Sequence, residues 1–343
     1  MAGVSEGTVD RVLHKRGNVS SKALEKVNNV LTKIHYKPNL LARSLRRTKN
    51  ISISVLIPDP KEDPYWAEVK SGIIQAQNEW DNYGVAIDSF FYEHDGKLSL
   101  ELMANKALKS KPDGMVIAPI FYPQALQVFS QLQKKEIPYV LFNTNIPESN
   151  PLSFIGQDLF QSGKLAAQLM SIGKESDKPE ELVILHIGEN VIDSLYLMEK
   201  EKGFKEYYEK NIHHLFKITS INLEASKKSF EHKIEKLVKN KKITGIYVTT
   251  SKSVSIVAHI LKDSSRSDIR LIGYDMLQEN LKYLKSGWIS FLINQNPKRQ
   301  VFLGISHMVN HLLFKKIIPK TEFFPLEIIT QENVESYITS RIH

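Results

Sequence analysis

Eleven of the first fifty residues are Lys or Arg, against three acids, and this excess equals the formal charge of +8 carried by the whole chain. A basic segment joined to an electrically balanced body is the footprint of a module that meets a polyanion. A solvated basic tail is the alternative, and the helical patterning of the segment weighs against it. Catalytic groupings are poor by comparison. The eleven histidines are scattered, with no Ser/His/Asp or metal-ligand spacing. His213 and His214 are adjacent and would point to opposite faces of a strand. Without cysteine there is neither a disulfide scaffold nor a thiolate site for zinc or iron–sulfur clusters. No G-x-G-x-x-G follows a strand, and no G-x-x-x-x-G-K-[ST] occurs, so a nucleotide cradle is not expected. These observations predict no enzyme, no cofactor and no metal.

The basic segment is patterned to fold. Ser5 is a good helix cap, and Val9, Val12 and Leu13 follow on one face. After a turn at Gly17-Asn18, Ser20 caps a second helix with Ala23, Val27, Leu31 and Ile34 aligned. Lys37-Pro38-Asn39 breaks it, and LLARSLRR then makes one or two further turns. From residue 51 the pattern alternates. Strand-like runs ISISVLI, VAIDSFF, GMVIAPI, IPYVLF, ELVILHIG, TGIYVTT, IRLIGYD and WISFLIN are separated by helical stretches. Repeated βα units predict parallel sheets covered by helices, and their number is large for one sheet. Two α/β lobes are expected, dividing near GQDLFQSG, with a ligand site between them at the strands' carboxyl ends. No run of about eighteen apolar residues spans a membrane, and the basic start has no apolar signal core. A cytoplasmic location is expected.

The stretch AGVSEGTVDRVLHKRGNVSSKALEKVNNVLTKIHYKPNLLARSL resembles the DNA-binding headpiece of the LacI/GalR transcriptional regulators, and the remainder resembles their periplasmic-binding-protein-like effector domain of ribose type. The resemblance covers essentially the whole chain. It implies a truncated helix-turn-helix headpiece at 1–37 and a hinge helix and linker at 38–50. It also implies a first lobe at 51–157 plus about 290–320 and a second at 158–289 plus about 321–343. The family's headpiece has a helix before A-G-V-S. Its absence makes Met1 an internal residue of that helix by this reading, and the headpiece as given is expected to fold poorly and bind DNA weakly.

The resemblance assigns base and phosphate contacts to Ser5, Glu6, Gly7, Thr8 and Arg11, at the start of the recognition helix. Glu6 suits a cytosine amino group and Arg11 a guanine. Asp10 and His14 depart from the family's Ser and Asn. In the hinge segment, Asn39, Ala42, Arg43 and Arg46 would lie along the minor groove while Leu45 wedges between base pairs. A hinge helix needs a twin, so a homodimer on pseudo-palindromic double-stranded operator DNA is implied.

For the cleft, the resemblance points to Tyr65 and Trp66 as an aromatic pair that stacks on sugar rings. Asp275 and Gln295 would be polar contacts, with Asn143, Asp158, Asn190 and Ser194 as further candidates. Phe121 stands where ribose-type proteins carry an acid, Thr144 where Arg is common, and Thr250-Ser251 where they carry Asn-Asp. The pocket therefore reads as less charged than the family norm and suited to a neutral or bulky carbohydrate. Ligand-driven closure would change hinge pairing on DNA. The alternative is a ligand-binding dimer that does not bind DNA.

Overall fold

The computed structural model describes residues 2–13, 17, 19–33, 50–93, 97–173, 179–188, 194–212, 215–223 and 230–340. The chain divides into two compact units, Met1–Lys49 and Asn50–His343.

In the first unit, helix α1 (Glu6–Leu13) is capped by Ser5, whose Oγ accepts from the Thr8 amide at 3.3 Å. Helix α2 (Ser21–Lys33) is capped the same way by Ser20. The two helices pack on each other. Among the described residues of this unit, only Val27 is fully buried.

The second unit holds two six-stranded sheets. In chain order its first part runs β1 (Ile51–Pro58), α3 (Pro64–Trp80), β2 (Val85–Tyr92), α4 (Lys97–Lys109), β3 (Gly114–Ile117), α5 (Tyr122–Lys134), β4 (Tyr139–Phe142) and β5 (Ser153–Gly156). The chain then crosses into α6 (Leu159–Ser171), β6 (Glu180–Ile187), α7 (Leu195–Asn211), β7 (Phe216–Leu223), α8 (Phe230–Val238), β8 (Ile243–Val248), α9 (Val254–Asp263), β9 (Arg270–Tyr274), α10 (Gln278–Lys285) and β10 (Phe291–Asn294). It returns through α11 (Pro297–Phe314) and β11 (Thr321–Phe323), and ends in β12 (Glu327–Ile329) and α12 (Val334–Ser340).

The first sheet runs β11-β5-β4-β3-β1-β2, parallel throughout. The second runs β12-β10-β9-β8-β6-β7, with β12 alone antiparallel. Central strands such as ISISVLIP and GMVI are buried along their length, as a sheet covered on both faces requires. Strands β5, β7, β11 and β12 go beyond the sequence reading. β7 is half exposed and lies at an edge, so its apolar signal is weak.

The crossings also fall differently from the expected boundaries. β10 pairs in the second sheet and α11 packs on the first lobe, so that crossing lies at Gln295–Asn296 rather than near 290. β11 pairs with β5, so the last crossing follows Phe323 rather than coming near 321. All three crossings are tied by one amide. Gln157 Nε2 donates to the carbonyls of Asn294 and Pro325, each at 2.9 Å.

Helices α6 and α7 pack backbone to backbone, and two glycines allow it. A Cβ on Gly203 would lie 2.0 Å from the Phe160 carbonyl oxygen, and one on Gly163 2.0 Å from that of Lys200. Both obstacles are backbone and cannot swing aside. Gly203→Ala should therefore force the helices apart, at a cost of about 1–3 kcal/mol typical of overpacking. Its unfolding midpoint in urea should fall while the m-value stays constant. An unchanged midpoint would mean that the pair separates freely.

Candidate functional site

The carboxyl ends of both sheets face a shared cleft. Asp63 caps α3, its side chain accepting from the Tyr65 amide at 2.8 Å, and Pro64 opens the first turn. This fixes Tyr65 and Trp66 at the mouth of the first lobe. Their rings meet edge-on at 4.9 Å, and Trp66 also meets Phe142 at 6.4 Å. Both are buried, yet the Tyr65 hydroxyl has no hydrogen-bond partner. Burial, with the carboxylates of Asp275 and Asp63 nearby, pushes this phenol well above its ordinary range, so it stays protonated as a donor.

The cavity there is about 30 Å³ and is lined by Tyr65, Trp66, Asn143 and Gln295 among the expected residues. Such a volume holds a water molecule or two and no sugar ring. Beside it, lined from both lobes, lies a larger cavity of about 310 Å³. Across the mouth, Lys252 Nζ on the second lobe donates to the Glu62 carbonyl on the first at 2.5 Å.

The other expected residues lie apart from this cavity. Asp275 sits one layer behind it, 1% exposed, in a left-handed conformation with φ of 62°. Its carboxylate accepts from Ser251 Oγ at 2.5 Å, from the Gln295 amide at 2.8 Å and from Gln295 Nε2 at 2.6 Å. It thereby orients two residues of the wall. Burial raises its pKa, and the donors and the Lys200 charge partly offset that. Asp158 caps α6 through the Gln161 amide at 3.0 Å and lines a neighbouring cavity. Phe121 packs in the first lobe's core, 6.1 Å from Tyr92. Ser194 is buried at the start of α7, where its carbonyl accepts from Leu197 at 3.0 Å. Asn190 lies outside the described residues.

Tyr196 and Lys200 went unread in the sequence. They rise from the first two turns of α7 and line the cavity. Lys200 is 1% exposed; its Nζ donates to the Thr249 carbonyl at 3.0 Å and lies 3.5 Å from the centroid of the Tyr274 ring. The pocket is therefore more charged than its sequence implied. In LYLMEKEKGF the lysine reads as one of several solvated charges. The readable signal is its place on the stripe Tyr196, Lys200, Gly203, Phe204, all buried. Behind it, buried His186 binds Thr249 Oγ1 through Nδ1 at 2.8 Å and Glu201 through Nε2 at 2.7 Å. Glu201 is held down to about 2 by His186, with Lys205 and Ser220 adding to this.

In the N-terminal unit, Glu6, Gly7 and Arg11 are exposed along α1, and Thr8 is half-buried beside Ser5, with their hydroxyls 2.9 Å apart. Asn39, Ala42, Arg43, Leu45 and Arg46 lie outside the described residues.

Two parallel-sheet lobes around an aromatic and polar cleft, reached by three crossings, define a binding protein for small ligands, here carrying a basic helical unit. The chain belongs to the periplasmic binding protein domain family, which matches residues 53–316, and residues 1–39 match the bacterial regulatory proteins of the lacI family, making it a LacI-type regulator. It is 25% identical to the sucrose operon repressor of Streptococcus mutans serotype c, across 97% of both chains. Over 44% of its length it is 30% identical to the ribose operon repressor of Halalkalibacterium halodurans, spanning 43% of that protein. A Bacteroides fragilis structure assigned as a LacI transcriptional regulator superposes with a TM-score of 0.78 at 28% identity, covering 84% of this chain and 100% of that one. A glucose-galactose binding protein from Geobacillus stearothermophilus shares the fold at a TM-score of 0.72 and 20% identity, covering 83% and 99%. Among the described residues no helix is long and apolar enough to cross a membrane, and no His/Asp/Glu group is spaced to hold a metal.

Asp275 gives a pH test. Its folded pKa lies above the ordinary 3.8, so its protonation favours the folded state. That contribution is present below 3.8 and is lost as the pH rises through the raised folded value. Asp275→Asn does not ionise, and the hydrogen bonds its NH2 group forfeits cost the same at every pH. The unfolding temperature of the variant relative to the parent should therefore rise steadily between acid and neutral pH. A constant difference would mean that the buried charge costs the fold nothing.

Proposed function

We propose that this protein is a cytoplasmic transcriptional regulator, not an enzyme, whose affinity for a pseudo-palindromic operator is set by an uncharged sugar bound in the cleft. The observation that carries the reading is the buried Tyr65 hydroxyl left without a partner beside Trp66, Gln295 and Lys200. A buried hydroxyl without a bond costs about 1–3 kcal/mol, and a ligand hydroxyl restores that bond. Trp66 supplies an aromatic face for sugar C–H groups, and Gln295, its Nε2 held by Asp275, offers its oxygen. Asn143 joins them, and Lys200 donates to a ring or exocyclic oxygen. Asp275 acts through Ser251 and Gln295, as a positioning residue.

On α1, Ser5 and Thr8 meet phosphates while Glu6 and Arg11 read base edges, with Gly7 permitting close approach. The hinge segment supplies Asn39, Ala42, Arg43, Leu45 and Arg46 to the minor groove. The unit that binds is a homodimer. Leu98 and Leu102 on α4 are 72% and 63% exposed, one turn apart on a helix that packs against the edge strand β2, and a second copy covers them.

Closure favours one arrangement of the dimer, and ligand and operator affinities change by the same factor, about 5–150-fold in such couplings. The second reading, a sugar-binding dimer that leaves DNA alone, is favoured by one observation: among the described residues of the N-terminal unit, Val27 alone is buried.

The test is selection from a duplex library at fixed salt, with and without a panel of sugars. An enriched palindrome whose binding changes with sugar is the expected outcome. Arg11→Ala should weaken the selected duplex about tenfold, from one lost bidentate base contact. Trp66→Ala should abolish the sugar effect alone. Sugar binding without any selected duplex would favour the second reading. Leu98→Glu with Leu102→Glu should sediment as a monomer, and an unchanged dimer would move the interface elsewhere.

A further inference from the structure

The strands of the first sheet are all parallel, so their amino ends share one face, the base of the first lobe, opposite the cleft. Helices α3, α4, α5 and α11 run back against the strands and end there. β1 begins at this face with Ile51, directly after the N-terminal unit, so the two units are joined here. Lysines crowd the face. Lys109 and Lys111 lie at the end of α4, Lys134 and Lys135 at the end of α5, and Lys315 and Lys316 just after α11, all exposed. The Ser52 amide donates to the Asp113 carboxylate at 2.9 Å, and the Asp113 amide to the Ser52 carbonyl at 2.8 Å. That pair pins the Lys111 loop beside the start of β1.

The helix dipole favours a cation in a last turn, which accounts for Lys109 and Lys134. It does not account for Lys111, Lys135, Lys315 and Lys316, which follow the last turns. Pairing does not either, since among the described residues none of the six lysines makes an ion pair. Two acids at this end are engaged: Asp113 holds the Ser52 amide, and Glu322 lies 3.0 Å from His307. Glu79, Asp81 and Glu136 leave the lysines in excess. His311, one turn from the end of α11, registers the field: burial first, and then the Lys315 charge, hold its pKa below the ordinary value. By contrast, β1 and β2 lead at the cleft end into Asp59, Glu62, Asp63 and Glu93. No arginine stands at the base among the described residues. Lysine is a flexible, hydrated point charge, suited to phosphates and not to reading base edges.

We propose that the base of the first lobe is a second DNA-contacting surface, whose lysines meet phosphates of the duplex that the N-terminal unit binds. The inference rests on the operator-binding reading and adds a sequence-independent contact from the effector domain. The chain joins the two units at this face, so a duplex held by one is kept at high effective concentration near the other. Each lysine that meets a phosphate releases a counterion, and the contact is therefore read in the salt dependence of binding.

The test measures binding of the whole chain to its selected duplex, and to a scrambled duplex of equal length, across a salt series. In Lys134→Gln/Lys135→Gln/Lys316→Gln the slope of log K against log salt should become shallower by about three, near one for each lost phosphate contact. Both duplexes should weaken alike. Lys134→Arg/Lys135→Arg/Lys316→Arg should keep the parent's slope, and every variant its unfolding midpoint. Lys239→Gln/Lys241→Gln/Lys242→Gln removes the same charge from the segment before β8, at the base of the second lobe, and should leave the slope unchanged. An unchanged slope in the first-lobe Gln variant, while the parent selects its duplex, overturns the surface and leaves the operator reading standing. Equal flattening by both Gln variants overturns it too, because net charge and not contact is then at work. If the parent binds neither duplex at any salt, both readings fall together.

Discussion

The carboxylate of Asp275 is the constraint around which the cleft is built. A charge taken out of water must be met by donors, and here they come from three places in the chain. Ser251 follows β8, Asp275 ends β9 and Gln295 ends β10, so one carboxylate gathers the carboxyl ends of three neighbouring strands. Asn280, one turn into α10, draws the same loops in from the other side, its amide reaching the carbonyls of Ser251, Tyr274 and Asp275. The wall of the cleft is thus rigid before any ligand arrives. That preorganisation costs stability, as the raised pKa of Asp275 records, and it lowers the ordering cost of binding.

How far the sequence carried this architecture depended on whether a residue's role was local. The DPYW stretch was readable because a cap, a proline and two aromatics in one turn define both a helix start and the side chains it presents. Asp275 and Gln295 were readable as polar groups at the ends of apolar strands. Their division of labour was not, because it depends on β9 and β10 being neighbours. Phe121 is a similar case: it precedes α5, where a cleft residue is expected, and its ring packs in the first lobe's core beside Tyr92 from the adjacent region of the sheet. Asp158 belongs first to its helix, as its cap.

Lys200 shows the limit most clearly. Nothing within its own helix turns it inward. Gly203, three residues on, lets α7 meet α6 backbone to backbone, and that contact sets the rotation that buries Lys200 under Tyr274. Ser162 on α6 bonds the Tyr274 hydroxyl at 2.8 Å, and Tyr247 bonds it at 2.7 Å, so the ring that receives the lysine is itself pinned from two elements. A cation over an aromatic face, with one donor spent on Thr249, is tolerable inside a protein where a bare ammonium is not. The glycine pair, the tyrosine pair and the lysine form one unit, and none of its parts is chemically distinctive alone.

Tyr196 carries this unit across the cleft. It belongs by sequence to the second lobe, at the start of α7, yet with Leu197 it packs into the hydrophobic core of the first. Apolar surface of the second lobe is therefore buried in the first, independently of any ligand, and the space left beside Trp66 holds little more than a water. Opening must withdraw Tyr196, and Lys200 moves with it on the same rigid helix. His186, through Thr249, ties the backbone carbonyl that holds Lys200 to the centre of the second sheet. A ligand that reaches Trp66 competes with the protein's own aromatic anchor for that wall. Its affinity is then the difference between the contacts it makes and those that Tyr196 gives up, and a ligand with more surface has more to offer in that exchange.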